Sequence, residues 1–284
     1  MPLFGAHMSI AGGYYRALEA GAAHQCDAVQ LFTKNSNQWR AKELTEADVF
    51  VFEETRRKHR PQVLLAHDSY LINLASPDPA LRQKSIDAFV DEVERAEKLG
   101  LAYLVTHPGA HVGAGEEAGL ASVAAAIDLV HRCCPGYRVQ VLLETTAGQG
   151  STLGHRFEHL ARILDAVAEP ERLGICLDTC HVFAAGYPLA PEPAYRATLR
   201  QFDRLIGLSG IKAFHMNDSL RPFGSRIDRH AHIGRGCLGL EAFRLLVNDR
   251  RFRDKPMILE TPKESDDGVD MDAINLATLR GLLK

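Results

Sequence analysis

Cysteine in any arrangement that would staple a fold is missing from these 284 residues. The six cysteines, Cys26, Cys133, Cys134, Cys176, Cys180 and Cys237, include no CxxC pair, and the adjacent Cys133 and Cys134 suit no ordinary disulfide framework. A reducing, cytoplasmic compartment is the simpler expectation. An excess of one charge is missing too. Lysine plus arginine number 33 against 36 acidic residues, a formal charge of -3, so nothing global draws the chain to nucleic acid or an anionic membrane. A polyanion would have to be held by a local patch or by cations. No apolar run approaches membrane-spanning length, and Met1 to His7 lacks the charged-then-apolar order of a secretory signal. The first strand candidate is followed by Gly12-Gly13 and not by G-x-G-x-x-G, which counts against an open doubly wound sheet. There is no low-complexity segment and no short repeat beyond a strand-helix alternation.

That alternation is the dominant feature. With 46% apolar residues, the chain can bury one large core. Strands are predicted at Leu3–Ala6, Ala28–Phe32, Val63–Ala66, Tyr103–Thr106, Val139–Leu143, Gly174–Leu177, Ile211–Phe214 and Pro256–Leu259. Several are nearly unbroken apolar strings, as expected of parallel strands buried on both faces. Helices are predicted at 13–23, 46–58, 85–99, 118–132, 156–168, 193–208, 240–248 and 270–283, from apolar residues three and four apart such as Ile86, Phe89, Val90, Val93 and Ala96. Eight strand-helix units without a linker predict an α/β fold: a single (β/α)₈ TIM barrel over residues 1–284, with its active site at the carboxyl ends of the strands.

Just past the apolar part of nearly every strand stands a metal-ligand type: His7, His67, His107, Glu144, Asp178, His215 and Glu260. Only the second strand, ending Phe32-Thr33-Lys34-Asn35, departs. One histidine at a strand end is more often a hydrogen-bonding residue than a ligand. Seven such ends converging on one rim are different, because three carboxylates gathered in a partly dry space repel unless protons or cations compensate them. Mixed nitrogen and oxygen donors without cysteine fit zinc or manganese. Asp178-Thr179-Cys180-His181 and Asp228-Arg229-His230 offer further ligands, the second as an extended loop turning Asp228 and His230 to one side. Taken alone, Asp228 and His230 fit a solvated loop among Arg221, Arg226, Arg229 and Arg235 better than a ligand pair.

Long motifs carry a resemblance over the whole chain: Gly5-Ala6-His7, Phe32-Thr33-Lys34-Asn35, His67-Asp68-Ser69-Tyr70-Leu71-Ile72-Asn73-Leu74, Thr106-His107-Pro108-Gly109 and Leu143-Glu144-Thr145-Thr146-Ala147-Gly148-Gln149-Gly150. It continues through Leu177-Asp178-Thr179-Cys180-His181, His215-Met216-Asn217-Asp218-Ser219, Gly224-Ser225-Arg226-Ile227-Asp228-Arg229-His230 and Ile258-Leu259-Glu260-Thr261. In these the sequence resembles the endonuclease IV family of metal-dependent apurinic/apyrimidinic endonucleases.

The resemblance implies three zinc ions, with manganese or iron able to use the same donors. It gives one to His67, His107 and Glu144, a second to Glu144, Asp178, His215 and Glu260, and a third to His181, Asp228 and His230. His7 is not a ligand in that pattern. The implied reaction is hydrolysis of the phosphodiester 5′ to an abasic site in duplex DNA, leaving a 3′-hydroxyl and a 5′-deoxyribose phosphate, together with removal of blocked 3′ ends. Glu144 and Glu260 are the implied catalytic residues, Glu260 positioning or deprotonating the attacking water. Tyr70 and Leu71 match the family's wedge into the base stack. Asn35, Lys34, Arg226 and Arg229, with Lys263, are the expected DNA contacts. Where the family carries an arginine after Lys34-Asn35, this chain reads Ser36-Asn37-Gln38-Trp39. A monomer acting in the cytoplasm, on the nucleoid when bound to DNA, is expected. The remaining histidines of the helices, His24, His59, His131 and His159, are expected at the surface. The competing expectation is a sugar isomerase or epimerase on the same barrel, which needs fewer metals and neither the Asp228/His230 pair nor the Tyr70-Leu71 loop.

Overall fold

In the computed structural model, which describes residues 1–265 and 267–284, eight parallel strands close into a barrel. The first half of the chain gives β1 (Leu3–His7), α1 (Tyr14–Ala23), β2 (Ala28–Phe32), α2 (Glu46–His59), β3 (Val63–His67), α3 (Pro79–Lys98), β4 (Tyr103–Thr106), α4 (Glu116–Cys133) and β5 (Gln140–Glu144). The second half gives α5 (Phe157–Ala166), β6 (Leu173–Asp178), α6 (Thr179–Ala184), α7 (Glu192–Leu205), β7 (Ile211–His215), β8 (Asp218–Ser219), β9 (His230–Ala231), α8 (Leu240–Val247), β10 (Pro256–Leu259) and α9 (Met271–Gly281). Barrel neighbours follow the chain, and β10 pairs with β1 to close the ring. Strands β8 and β9 form a separate antiparallel ribbon over the rim.

Two cores follow from the period of two along each strand. Ala28, Leu65, Val105, Leu142, Cys176, Ala213 and Ile258 pack together inside the barrel. Their strand neighbours, such as Val29, Leu64, Leu104, Leu143 and Leu259, face outward and join the helices in the larger core. On β1 the matching inner position is Gly5, where a Cβ would lie 1.9 Å from the Ala28 carbonyl oxygen, so no larger residue fits.

All eight predicted strands and helices are present, with shifted ends. Helix α3 begins at Pro79 and not at Ser85, because Asp78 caps the amides of Ala80 and Leu81 and proline suits the first helical turn. Two elements were not foreseen. The Asp178 carboxylate accepts the His181 amide and starts the short helix α6, and His230, expected in an extended loop, pairs with Ser219 in the ribbon. Two of the helix histidines correct the expectation of a surface position: His131 and His159 are each only 3% exposed, on faces of α4 and α5 that pack inward. Among the described residues, no helix is long and apolar enough to cross a membrane.

Candidate metal centre

Two residues beyond each inner core position, every barrel strand presents its next inward side chain. Counting on from Gly5, Ala28, Leu65, Val105, Leu142, Cys176, Ala213 and Ile258 gives His7, Gln30, His67, His107, Glu144, Asp178, His215 and Glu260. A polar ring therefore sits directly on the barrel's apolar floor. Residues His181, Asp228 and His230 reach the same space from α6 and the ribbon loop.

Glu144 is the centre of this ring. His67 Nε2 and His107 Nε2 each lie 3.1 Å from its Oε2, while His215 Nδ1 lies 2.9 Å from Oε1 and 3.0 Å from Glu260 Oε2. On the outer side, His181 Nε2 lies 3.0 Å from Asp228 Oδ2, and His230 Nε2 lies 3.3 Å from Asp228 Oδ1 and 3.8 Å from Asp178 Oδ2. Donors bound at about 2.1 Å to one tetrahedral ion lie roughly 3.4 Å apart. The spacing suits three such groups, and donor atoms of His67/His107/Glu144, Glu144/Asp178/His215/Glu260 and Asp178/His181/His230 each lie within 4.8 Å of one another.

Ring orientation is set from behind. His67 Nδ1–H donates to the Asp68 carbonyl at 2.9 Å and His181 Nδ1–H to the Thr145 carbonyl at 2.8 Å, so each turns Nε2 toward the centre. His215 is reversed: its Nε2–H donates to Gln30 Oε1 at 2.8 Å, which leaves Nδ1 facing the carboxylates. The Gln30 amide also donates to Glu260 Oε1 at 2.6 Å and to His7 Nδ1 at 2.9 Å. His7 thus serves as an acceptor at the edge of the group, 3.8 Å from Glu260. Asn217 spans Asp178 and Glu260, donating to Asp178 Oδ2 at 2.6 Å and accepting the Glu260 amide at 2.9 Å. Buried His181 Nε2 and His230 Nε2 face the Asp228 carboxylate, which a shared cation would satisfy from both sides.

The electrostatics agree. Burial opposes charge on the His67 ring, yet the Glu144 carboxylate outweighs it and raises the ring to about 9. Burial likewise opposes charge on His181 and His215, and is overcome by Asp178 and Asp228 beside His181 and by Glu260 and Glu144 beside His215. Burial would push Glu144 and Glu260 up, but His215 and its neighbouring rings hold both well below the usual carboxylate range. Asp228, despite burial, is drawn down to about 2 by His181. Without cations, protons on histidine would balance these carboxylates; divalent ions can do the same and more fully.

The expected DNA contacts divide. Tyr70 is 61% exposed beside the centre, its ring 5.6 Å from that of His67, and half-buried Leu71 follows it. Arg226 and Arg229 are exposed on the loop that carries Asp228, and Asn35 is exposed with its side chain accepting the Asn37 amide. A cleft of about 340 Å³ between His107, Gln149, His181, Asp228 and Arg229 opens on this side. Lys34 does not belong here. It is 4% exposed, its ammonium held by Asp91 at 2.9 Å and Glu92 at 3.4 Å, so it balances a buried carboxylate and is withdrawn from phosphate. Lys263 is half-exposed and paired with Asp272 at 2.6 Å. Gln30 and Asn217 are the polar residues that sequence reasoning missed. Their signal was a lone amide two residues past the inner position of an otherwise apolar strand, and an amide two residues past ligand candidate His215.

Comparison with known proteins agrees with this geometry. The family described as xylose isomerase-like TIM barrel, AP_endonuc_2, matches residues 18–280. "Probable endonuclease 4" of Chloroflexus aurantiacus is 53% identical over 284 residues, which cover 100% of this chain and 99% of that protein. The crystal structure of endonuclease IV from Thermus thermophilus superposes with a TM-score of 0.86 at 36% identity, covering 99% of this chain and 98% of that one. A D-tagatose 3-epimerase-like protein, at 19% identity and a TM-score of 0.73 over 98% of this chain and 96% of the other, shares the barrel alone. With relatives matched from end to end and the ring of donors in place, the chain belongs to the endonuclease IV family of xylose isomerase-like TIM barrels.

Proposed function

We propose that this chain, acting as one catalytic domain over residues 1–284, is a DNA-repair endonuclease. It hydrolyses the phosphodiester 5′ to an abasic site in duplex DNA, and trims blocked 3′ ends at the same centre. Three divalent ions, zinc in the first instance with manganese or iron as substitutes, would be held by His67, His107 and Glu144; by Glu144, Asp178, His215 and Glu260; and by His181, Asp228 and His230. Bound there, such ions would lower the pKa of water and neutralise charge on the phosphate and on the departing oxygen.

The remaining work falls to the chain. Glu260, ionised and held by Gln30 and Asn217, would orient the attacking water or take its proton. Glu144 joins two donor groups, so its position fixes their separation. Tyr70 and Leu71 would enter the base stack where the missing base leaves room, and Arg226, Arg229 and Asn35 would steady the backbone without reading sequence. A monomer suits a rim that must accept a rigid duplex.

The observation carrying this reading is the outer group. His181 and His230 bring ring nitrogens to 3.0 and 3.3 Å from the Asp228 carboxylate outside the barrel ring, a third donor group that a sugar epimerase working with one ion does not require. The test is incubation of metal-loaded protein with duplex DNA bearing one tetrahydrofuran abasic analogue, with and without prolonged chelation. A chelator-sensitive nick 5′ to the lesion is expected. Intact DNA with fully loaded protein would overturn the proposal.

A further inference from the structure

A second constellation of donors lies outside this centre, where the β4–α4 loop meets the β5–α5 loop. Glu116 is the first residue of α4, His155 ends the β5–α5 loop and His159 stands in the first turn of α5. Glu116 offers one oxygen to each ring, with His159 Nε2 3.2 Å from Oε2 and His155 Nε2 3.9 Å from Oε1. All three donor atoms fall within 4.8 Å of one another. Zinc held at about 2.1 Å by each would need donors roughly 3.4 Å apart, so the approach required is at most about 1.4 Å.

Both rings are buried and set edge to face, their centroids 4.8 Å apart. His155 Nδ1–H donates to the Thr152 carbonyl at 2.9 Å, which leaves its Nε2 as a bare lone pair pointing at Glu116. The His159 Nε2 is buried and faces Glu116 Oε2. Its Nδ1 accepts a long 3.3 Å bond from the Gly154 amide; a cation at Nε2 would require the ring proton to move to Nδ1 and the Gly154 amide to turn aside, at the cost of that bond. Burial lowers the His159 pKa, favouring the neutral ring that a metal takes. Arg156, half-exposed, lies 3.8 Å from Glu116 and 3.7 Å from Glu158 and is the competing cation.

We propose that Glu116, His155 and His159 form a separate binding site for a zinc-class divalent cation, which fastens the β4–α4 loop to the β5–α5 loop. Two imidazoles and a carboxylate are a borderline donor set suited to zinc and its neighbours and poorly suited to magnesium or calcium. The role follows from position. The inner ends of the same loops carry His107 and Glu144, and the loops already meet through His111 N–H to the Ser151 carbonyl at 3.1 Å and Leu153 N–H to the Gly109 carbonyl at 2.8 Å. An ion at the outer end would hold that junction from the other side.

The test measures total zinc per chain, co-purified plus bound during titration of the holoenzyme with ZnCl2, in the parent, in the double variant His155→Gln/His159→Gln and in Glu116→Gln. The parent should hold one more ion per chain than the double variant, and Glu116→Gln should bind that ion at least about tenfold more weakly. Added ZnCl2 should raise the melting temperature of the parent and leave that of the double variant unchanged. Equal zinc in parent and double variant overturns the proposal. Should the double variant fail to fold, Glu116→Gln, altered only at a half-exposed side chain, decides: parent-like zinc affinity overturns it. The count is independent of DNA cleavage, so the outcome stands apart from the proposed nuclease activity.

Discussion

Replacing Gln30 with leucine should loosen the metal centre without enlarging or shrinking the barrel interior appreciably, since the two side chains are close in volume. Gln30 is fully buried and makes three short hydrogen bonds, to His215, Glu260 and His7. Without it the His215 Nε2–H has no partner in a dry site, at a cost of about 1–3 kcal/mol, and Glu260 loses a bond to a charged group of similar worth. Part of this appears as lost stability, about 3 kcal/mol. The rest appears as lost metal affinity, because the His215 ring is no longer held with Nδ1 toward Glu144 and Glu260. Loss of such a supporting bond weakens metal binding by about 10–100-fold, or roughly 1.4–2.7 kcal/mol. Competition for zinc against a chromophoric chelator, alongside thermal melting, measures both parts. Gln30→Glu supplies the contrast: it keeps an acceptor for His215 but sets a carboxylate against Glu260, so its affinity should fall further as the pH rises. If Gln30→Leu binds zinc within twofold of the parent and melts at the same temperature, the amide does not orient the ring and the reasoning fails.

Other outcomes follow from the same structure. Lys34→Met should destabilise the fold by about 3 kcal/mol by leaving Glu92 buried without its cation, while cleavage by the folded fraction stays within twofold; an unchanged melting temperature with much weaker DNA binding would restore Lys34 to the phosphate-contacting set. Zinc loading of metal-free protein at pH 7 should release about three protons per chain, those of the charged His67, His181 and His215 rings, measured by calorimetry in buffers of different ionisation heat. Release near zero would show that the rings are neutral beforehand. At the surface, burial slightly opposes charge on His24, but the Ala20 carbonyl and Asp270 raise its pKa above 6.5, and burial of Asp270 is likewise outweighed by His24, which lowers that carboxyl below 3.8. The pair's stabilisation is therefore lost as pH falls through the lowered Asp270 value and as it rises through the raised His24 value. His24→Gln should cost under about 1 kcal/mol at pH 6 and nothing at pH 9 by thermal melting, and an equal cost at both would refute the pairing.

The barrel was legible because buried parallel strands write themselves as apolar strings, and ligand types followed seven of them. Gln30 is hidden in the sequence because β2 runs on to Phe32, two residues past the inward-facing Gln30, so the strand end does not mark the ligand-bearing position. The period of two from Ala28 points to Gln30, as from Leu65 it points to His67. Lys34 was misplaced for a related reason: a lysine next to a motif looks available, and only the tertiary contact with Glu92 on α3 shows its charge to be in use. The same holds for His131 and His159, whose helices bury the face that carries them. Asp228 and His230 could not be told from a solvated arginine-rich loop by local pattern. What distinguishes them is His181, nearly fifty positions away in sequence, across 3.0 Å of space.

Closure of the ring by its first and last strands sets an order in time. On the side away from β2, residues Leu3 to Ala6 pair with Pro256 to Leu259, and Glu260 follows at once. Until β10 has been synthesised, β1 and β7 each keep an open edge, and Gln30 and His215 face a gap where Glu260 will stand. A nascent chain can gather His67, His107 and Glu144 early, but the full set of donors comes together only as the seam shuts. The last barrel strand to be made is also the one that completes the centre.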